Sequence, residues 1–276
     1  MGILDHVSYS TSPEGIRMVI AGVEKIGKTT FGCSAPRTLL IPLEQGYGGV
    51  KVNKVPMLTE FEHTMILFDE IIVQVQTGTF PYQTLLFDSA TALERQIHEA
   101  VLKTDPTFGK GNKRALTMES ALGGYGKAYQ YANELFHGFL QKCDWLATNG
   151  KINIILTCHV FAAKIIDPTA GEYDSWDLLL HSPKNQKTYG KREMLTQWAD
   201  LIGFLHEPIY VTEGKSLNKG ISANQGRIMG LTRKPSYVAG NRYGVVNDIQ
   251  VPRENGWNYL AHEIYNTAGL DFYNRD

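Results

Sequence analysis

No run of apolar residues in this sequence is long enough to cross a bilayer, so a helical membrane protein is excluded at the outset. Cysteine is scarce. The three present, Cys33, Cys143 and Cys158, have no CxxC spacing and cannot all pair, which argues against both a disulfide framework and a zinc module and fits a reducing, cytoplasmic setting. There is no basic-then-apolar leader at the N-terminus, and Met1-Gly2 fails the myristoylation pattern because the sixth residue is His6. The chain also lacks repeats and low-complexity tracts. Its formal net charge is only −1, so it is not a globally basic nucleic-acid coat.

Charge is nevertheless clustered. Residues 103–127 hold five basic against two acidic side chains, 184–193 four against one, and 213–242 six against one. With 276 residues, 43% apolar and 20% charged, the chain is globular in composition and long enough for one large α/β domain.

The most informative stretch is residues 17–31, RMVIAGVEKIGKTTF, in which an apolar strand meets a glycine turn and then a helix. It contains G-x-x-x-x-G-K-T, the phosphate-binding loop pattern. Gly22 and Gly27 let backbone N–H groups turn inward around phosphate oxygens, with Val23, Glu24, Lys25 and Ile26 forming the loop between them. Lys28 is placed to bridge terminal phosphates, Thr29 to offer a hydroxyl to Mg²⁺, and Thr30 to continue the helix whose positive end faces the same anion. ATP with Mg²⁺ is the expected ligand.

Apolar strands recur downstream. Residues 38–43 lead to Glu44, 84–87 to Asp88, and 152–157 to Cys158-His159, while helical spacing marks 58–77, 90–102, 128–146, 192–198 and 255–268. Further strands are expected at 199–205, 209–212 and 227–232. Alternation of short apolar strands with helices predicts a mostly parallel sheet covered on both faces, with ligands at the strands' C-terminal ends. Gly27, Glu44, Asp88 and His159 all fall there. Asp88 is a Mg²⁺ ligand candidate that otherwise caps the next helix. Glu44 is a candidate for orienting the water that attacks the terminal phosphate, and His159 for sensing that phosphate. Arg233 and Arg242 are candidates for reaching a neighbouring subunit's nucleotide, with solvated surface charge as the alternative.

In their order, GVEKIGKT, LLIPLEQG, TLLFDS and IILTCH resemble the phosphate loop, catalytic-glutamate strand, Mg²⁺-binding strand and sensor strand of RecA-like ATPases, in particular the phage nucleotide-binding proteins that act as single-strand annealing recombinases. The likeness covers residues 17–160. It implies a RecA-like P-loop fold: an arm at 1–16, then a single domain at 17–276 with loops at 104–127 and 162–191, antiparallel late strands and a C-terminal helix. It further implies ATP hydrolysis at a subunit interface of a ring or filament, single-stranded DNA as partner, and an accompanying single-strand-binding protein. Candidate DNA contacts are Lys110, Lys113 and Arg114 with Tyr125 in the first loop, and Lys164, Lys184, Lys187, Lys191 and Arg192 with Trp176 and Tyr189 in the second. RecA carries glutamine where this chain has His159, and 16 residues before the first strand leave no room for a separate N-terminal domain. Two other readings compete: a regulatory or assembly ATPase acting on a protein partner, and a small-molecule kinase, against which stands the absence of an arginine-rich lid.

Overall fold

The computed structural model describes residues 14–104, 108–109, 113–114, 117–183, 189–212, 219–222 and 226–273, with the backbone alone at 108, 109, 113, 114, 210–212 and 219–222. The expected arm at 1–16 therefore lies outside the described residues except for 14–16.

The first strand, β1 (Arg17–Ala21), is followed by the phosphate loop and a five-residue helix α1 (Lys28–Gly32). Then come β2 (Thr38–Pro42), β3 (Asn53–Lys54), α2 (Phe61–Gln76), β4 (Thr84–Asp88) and α3 (Ala90–Thr104). A two-residue ladder, β5 (Phe108–Gly109) with β6 (Lys113–Arg114), lies in the first expected loop ahead of the long α4 (Lys127–Asn149). After it come β7 (Asn153–Cys158), β8 (Val160–Asp167), β9 (Gly171–Leu178), α5 (Lys191–Trp198) and β10 (Leu201–His206). The remainder comprises β11 (Ile209–Thr212), β12 (Lys219–Ser222), β13 (Arg227–Gly230), β14 (Gly240–Asn241), β15 (Ile249–Val251) and α6 (Gly256–Ala268).

Nine of these strands form one sheet in the order β15-β13-β10-β1-β7-β4-β2-β3, with β14 also paired to β10. From β10 to β3 every neighbour is parallel, whereas β13, β14 and β15 are antiparallel, as the sequence suggests for late strands. Parallel central strands are buried on both faces, and β2, β4 and β7 are buried at every position. Alternate residues go to opposite faces. Val19, Leu85, Phe87 and Leu156 meet α2, α3 and α4, while Met18, Ile20, Leu86 and Ile155 join the cluster of Phe31, Trp257, Leu260 and Ile264 from α1 and α6.

The structure corrects the expectation that 162–191 is a loop. Residues 160–178 form a β-hairpin, and only 179–190 connects it to α5. The hairpin was hidden because its alternation places no strongly apolar face: of β8, only Val160 is buried. Its β9 strand joins the body through Trp176 N–H to Ser236 O at 2.9 Å and Val238 N–H to Trp176 O at 3.0 Å. Among the described residues, no helix is long and apolar enough to cross a membrane.

The centre of the larger core is aromatic. Phe139 lies 5.1 Å from Phe87, 5.3 Å from Phe68 and 6.1 Å from Phe136 between ring centroids. Phe139→Ala should cost about 3–5 kcal/mol, read as a lower urea midpoint at unchanged m-value. A loss below about 1 kcal/mol would mean that this cluster does not carry the helix–sheet packing.

Candidate functional site

The phosphate loop takes its shape from its neighbours. A Cβ at Gly22 would lie 2.5 Å from Leu205 O, and Gly27 has φ 100°, in the range that disfavours side chains. Lys28 is buried, and its Nζ donates to Gly22 O at 2.8 Å and Val23 O at 2.9 Å. Burial lowers its pKa, against the opposing pull of Asp88, Glu24 and Glu44.

The order of the parallel strands brings the expected strand ends together. Because β7 lies between β1 and β4, Asp88 faces both the loop and the end of β7. Thr29 donates its hydroxyl to Asp88 Oδ2 at 2.7 Å, and Thr157 of β7 donates to Asp88 Oδ1. Glu44, two residues past β2, accepts from Ser89 Oγ at 2.5 Å, pairs with His159 Nε2 at 2.9 Å through the same Oε1, and receives Arg95 on Oε2 at 2.9 Å. The other ring nitrogen of His159 lies 3.6 Å from Glu24 Oε1, too long for a hydrogen bond, and has no bonded partner among the described residues. Lys28, Thr29, Asp88, Glu44 and His159 thus share one rim, with Glu24 from the loop beside them. Val23, Lys25, Ile26 and Thr30 complete the loop and the first turn of α1.

Burial works to raise the Glu44 pKa, but hydrogen bonds from His159 and Ser89, with the charges of His159 and Arg95, hold it at about 2. The carboxylate is therefore ionised at neutral pH and a weak base, suited to orienting a water by charge more than to storing a proton. Burial pushes the Cys158 thiol up to about 12 and leaves it inert.

The donor set suits magnesium nucleotide. One hydroxyl and one carboxylate are what Mg²⁺ takes from a protein when phosphates and water fill the remaining positions, and no denser group of His, Cys, Asp and Glu that could hold a metal occurs among the described residues.

The other expected residues are dispersed. Arg242 pairs with Asp200 at 2.9 Å, and Asp200 also binds Arg17, the first residue of β1, so Arg242 lies at the opposite end of the sheet from the phosphate loop. Arg233 is exposed and lines a cavity of about 400 Å³ with Trp176 and Tyr173, away from that loop. Neither reaches its own chain's site. Among the DNA candidates, Lys110, Lys184 and Lys187 lie outside the described residues, and Lys113 and Arg114 are described by backbone alone.

Lys191 needs correction. Lys191 has no exposed surface and pairs with Glu94 of α3 at 3.4 Å, and Arg192 pairs with Asp177 at 2.8 Å and Glu193 at 3.0 Å. Lys191 is thus enclosed in the fold and unavailable to phosphates, whereas Arg192 is half-buried with two carboxylates beside it. Lys164 is exposed, directly opposite Asp174 in the hairpin ladder. Tyr125, Tyr189 and Trp176 are exposed aromatics, at 99%, 64% and 38%.

Sequence reasoning missed Arg227, whose guanidinium rests against the phosphate loop, and Ser89 and Arg95, which grip Glu44. For Ser89 and Arg95 a signal existed. They lie one and seven residues past Asp88, at the start of a helix that leaves the site.

A phosphate loop on a mostly parallel sheet, with a hydroxyl, a carboxylate and a second acid at adjoining strand ends, defines a P-loop nucleotide-binding protein. The chain matches the AAA domain family over residues 14–243, most of its length, and belongs to that family. Membership carries ATP binding and points to ATP hydrolysis. No curated protein matched the chain.

The depressed Glu44 pKa has a definite sign. Its stabilising effect is complete above the ordinary value of 4.5 and is lost as pH falls through about 2. The stability gap between the parent and Glu44→Gln, measured by urea unfolding from pH 2 to 6, should therefore be widest above pH 4.5 and close towards pH 2; a constant gap would refute the ionised, hydrogen-bonded carboxylate.

Proposed function

We propose that this chain is a Mg²⁺-dependent ATPase of the RecA-like type that works as an oligomer on single-stranded DNA. The observation that carries the ATPase reading is the direct bond between His159 and Glu44 beside Lys28 and Asp88. Lys28 would hold the terminal phosphates, Thr29 and Asp88 would hold the metal, and Glu44 would orient the attacking water towards the γ-phosphorus. When bound there, Mg²⁺ would neutralise charge on the phosphate oxygens.

In this reading His159 registers loss of the γ-phosphate, supported by its position directly before β8 and by its carbonyl accepting Leu179 N–H at 2.8 Å. A change at its ring thus reaches the hairpin and the connection to α5. The DNA assignment draws on the basic excess of residues 103–127, on the exposed aromatics, and on the resemblance of the motifs to annealing recombinases. In an oligomer, Arg233 and Arg242, remote from their own nucleotide, are the candidates to act on a neighbour's.

One observation favours a second reading, a regulatory or assembly ATPase with a protein partner. The hairpin 160–178 carries Lys164 against Asp167, Glu172 and Asp174, with Asp177 already paired to Arg192, and this acidic excess repels DNA phosphates and suits a basic protein face.

Phosphate release with and without single-stranded oligonucleotide separates the two. The DNA reading expects stimulation, with binding that weakens at a log–log salt slope of about −0.7 per phosphate neutralised. Unchanged turnover and no bound oligonucleotide at low salt would leave the protein-partner reading. Lys28→Ala should abolish turnover, and Glu44→Gln should keep nucleotide binding while losing roughly 10²-fold or more in rate. Normal turnover in Glu44→Gln would remove Glu44 from the mechanism.

A further inference from the structure

Arg227 opens β13, the antiparallel neighbour of β10, and is only 7% exposed. Its Nη1 donates to Ile26 O at 3.1 Å and reaches Gly27 O at 3.4 Å, while Nη2 donates to Pro252 O at 2.7 Å. The buried Nε has no partner among the described residues. Three backbone carbonyls therefore hold this cation, and no carboxylate among the described residues forms an ion pair with it. Burial lowers its pKa, and of the two charges acting on it the repulsive Arg253 outweighs the attractive Glu207.

Two physical arguments meet here. A buried guanidinium without a counter-ion is costly unless an anion comes close, and the loop it touches is an anion-binding loop. In addition, a trans peptide points its C=O and the following N–H to opposite sides. A guanidinium that draws the Ile26 carbonyl outward turns the Gly27 N–H the other way, into the loop, while the Gly27 carbonyl it also reaches accepts Phe31 N–H at 3.0 Å in α1. The fit is close: a Cβ at Gly27 would lie 2.0 Å from Arg227 Nη1, so the second glycine of the motif is needed on this outer side as well.

We propose that Arg227 is a positioning residue of the nucleotide site: it braces the Ile26–Gly27 carbonyls from behind the phosphate loop, and its charge is balanced by the phosphates of the bound nucleotide. This rests on the nucleotide-binding reading and adds a residue outside the phosphate-loop motif. Its effect falls on ADP and ATP alike, because both present phosphates to the loop, so a variant loses in KM ahead of kcat.

The test is the affinity for Mg·ADP, by calorimetry, of the parent, Arg227→Lys and Arg227→Gln, together with the ADP-induced rise in melting temperature of each. Arg227→Gln should weaken ADP by roughly ten- to hundredfold and shrink that rise, with Arg227→Lys between the two because it keeps the charge and loses the fork. A merely structural arginine would lower the melting temperature with and without ADP equally. An unchanged ADP-induced rise, or ADP affinity within about twofold of the parent, overturns the proposal. Should Arg227→Gln not fold, Arg227→Lys alone decides: several-fold weaker ADP binding supports the brace, and parental affinity overturns it. If the parent itself binds no ADP, the nucleotide reading falls and this inference with it, whereas a parent that binds beside an unimpaired variant removes only the role of Arg227.

Discussion

Each oxygen of the Asp88 carboxylate accepts a hydroxyl, one from Thr29 behind the phosphate loop and one from Thr157 on the neighbouring strand. That pair of bonds ties three separate segments to one point at the rim of the sheet. It depends on the strand order, since β7 must lie between β1 and β4 for Thr157 and Thr29 to approach the same carboxylate. Buried charges persist where hydrogen bonds satisfy them, and Asp88 is 7% exposed.

From that point α3 carries the site outward. Ser89, just before the helix, and Arg95 within it hold Glu44, while Thr91 accepts the His159 N–H at 3.2 Å and donates to Leu179 O at 3.2 Å. One turn further, Glu94 accepts the His181 N–H at 2.8 Å and pairs with buried Lys191. Residues 179–191 are thus fastened at both ends to the helix that also grips the candidate catalytic acid. Removing one partner of such a buried pair would leave a bare charge inside the protein.

Much of this was legible in the sequence because it is local. Gly27, Lys28 and Thr29 are consecutive, and Glu44, Asp88 and His159 each close an apolar run whose ending the sequence displays. The contacts that remained hidden join residues far apart in the chain: Arg227 of β13 meets Ile26 past the intervening strand β10, and Lys191 meets Glu94 from another element. A cluster of Lys and Arg looks like solvated surface until its partners are known, which is why the burial of Lys191 is not visible in the sequence. The hairpin 160–178 escaped for a different reason. It packs little apolar surface, and without a buried face the two-residue period has nothing to display.

On this reading Thr29 and Asp88 form one half of a metal site completed by nucleotide phosphates. Its most direct test is the binding of Mn²⁺, as a paramagnetic substitute for Mg²⁺, followed by electron paramagnetic resonance with and without ADP. One tightly held Mn²⁺ per chain is expected when ADP is present, and its loss in Asp88→Asn. Mn²⁺ that binds equally well without ADP, or is undiminished in Asp88→Asn, would contradict it.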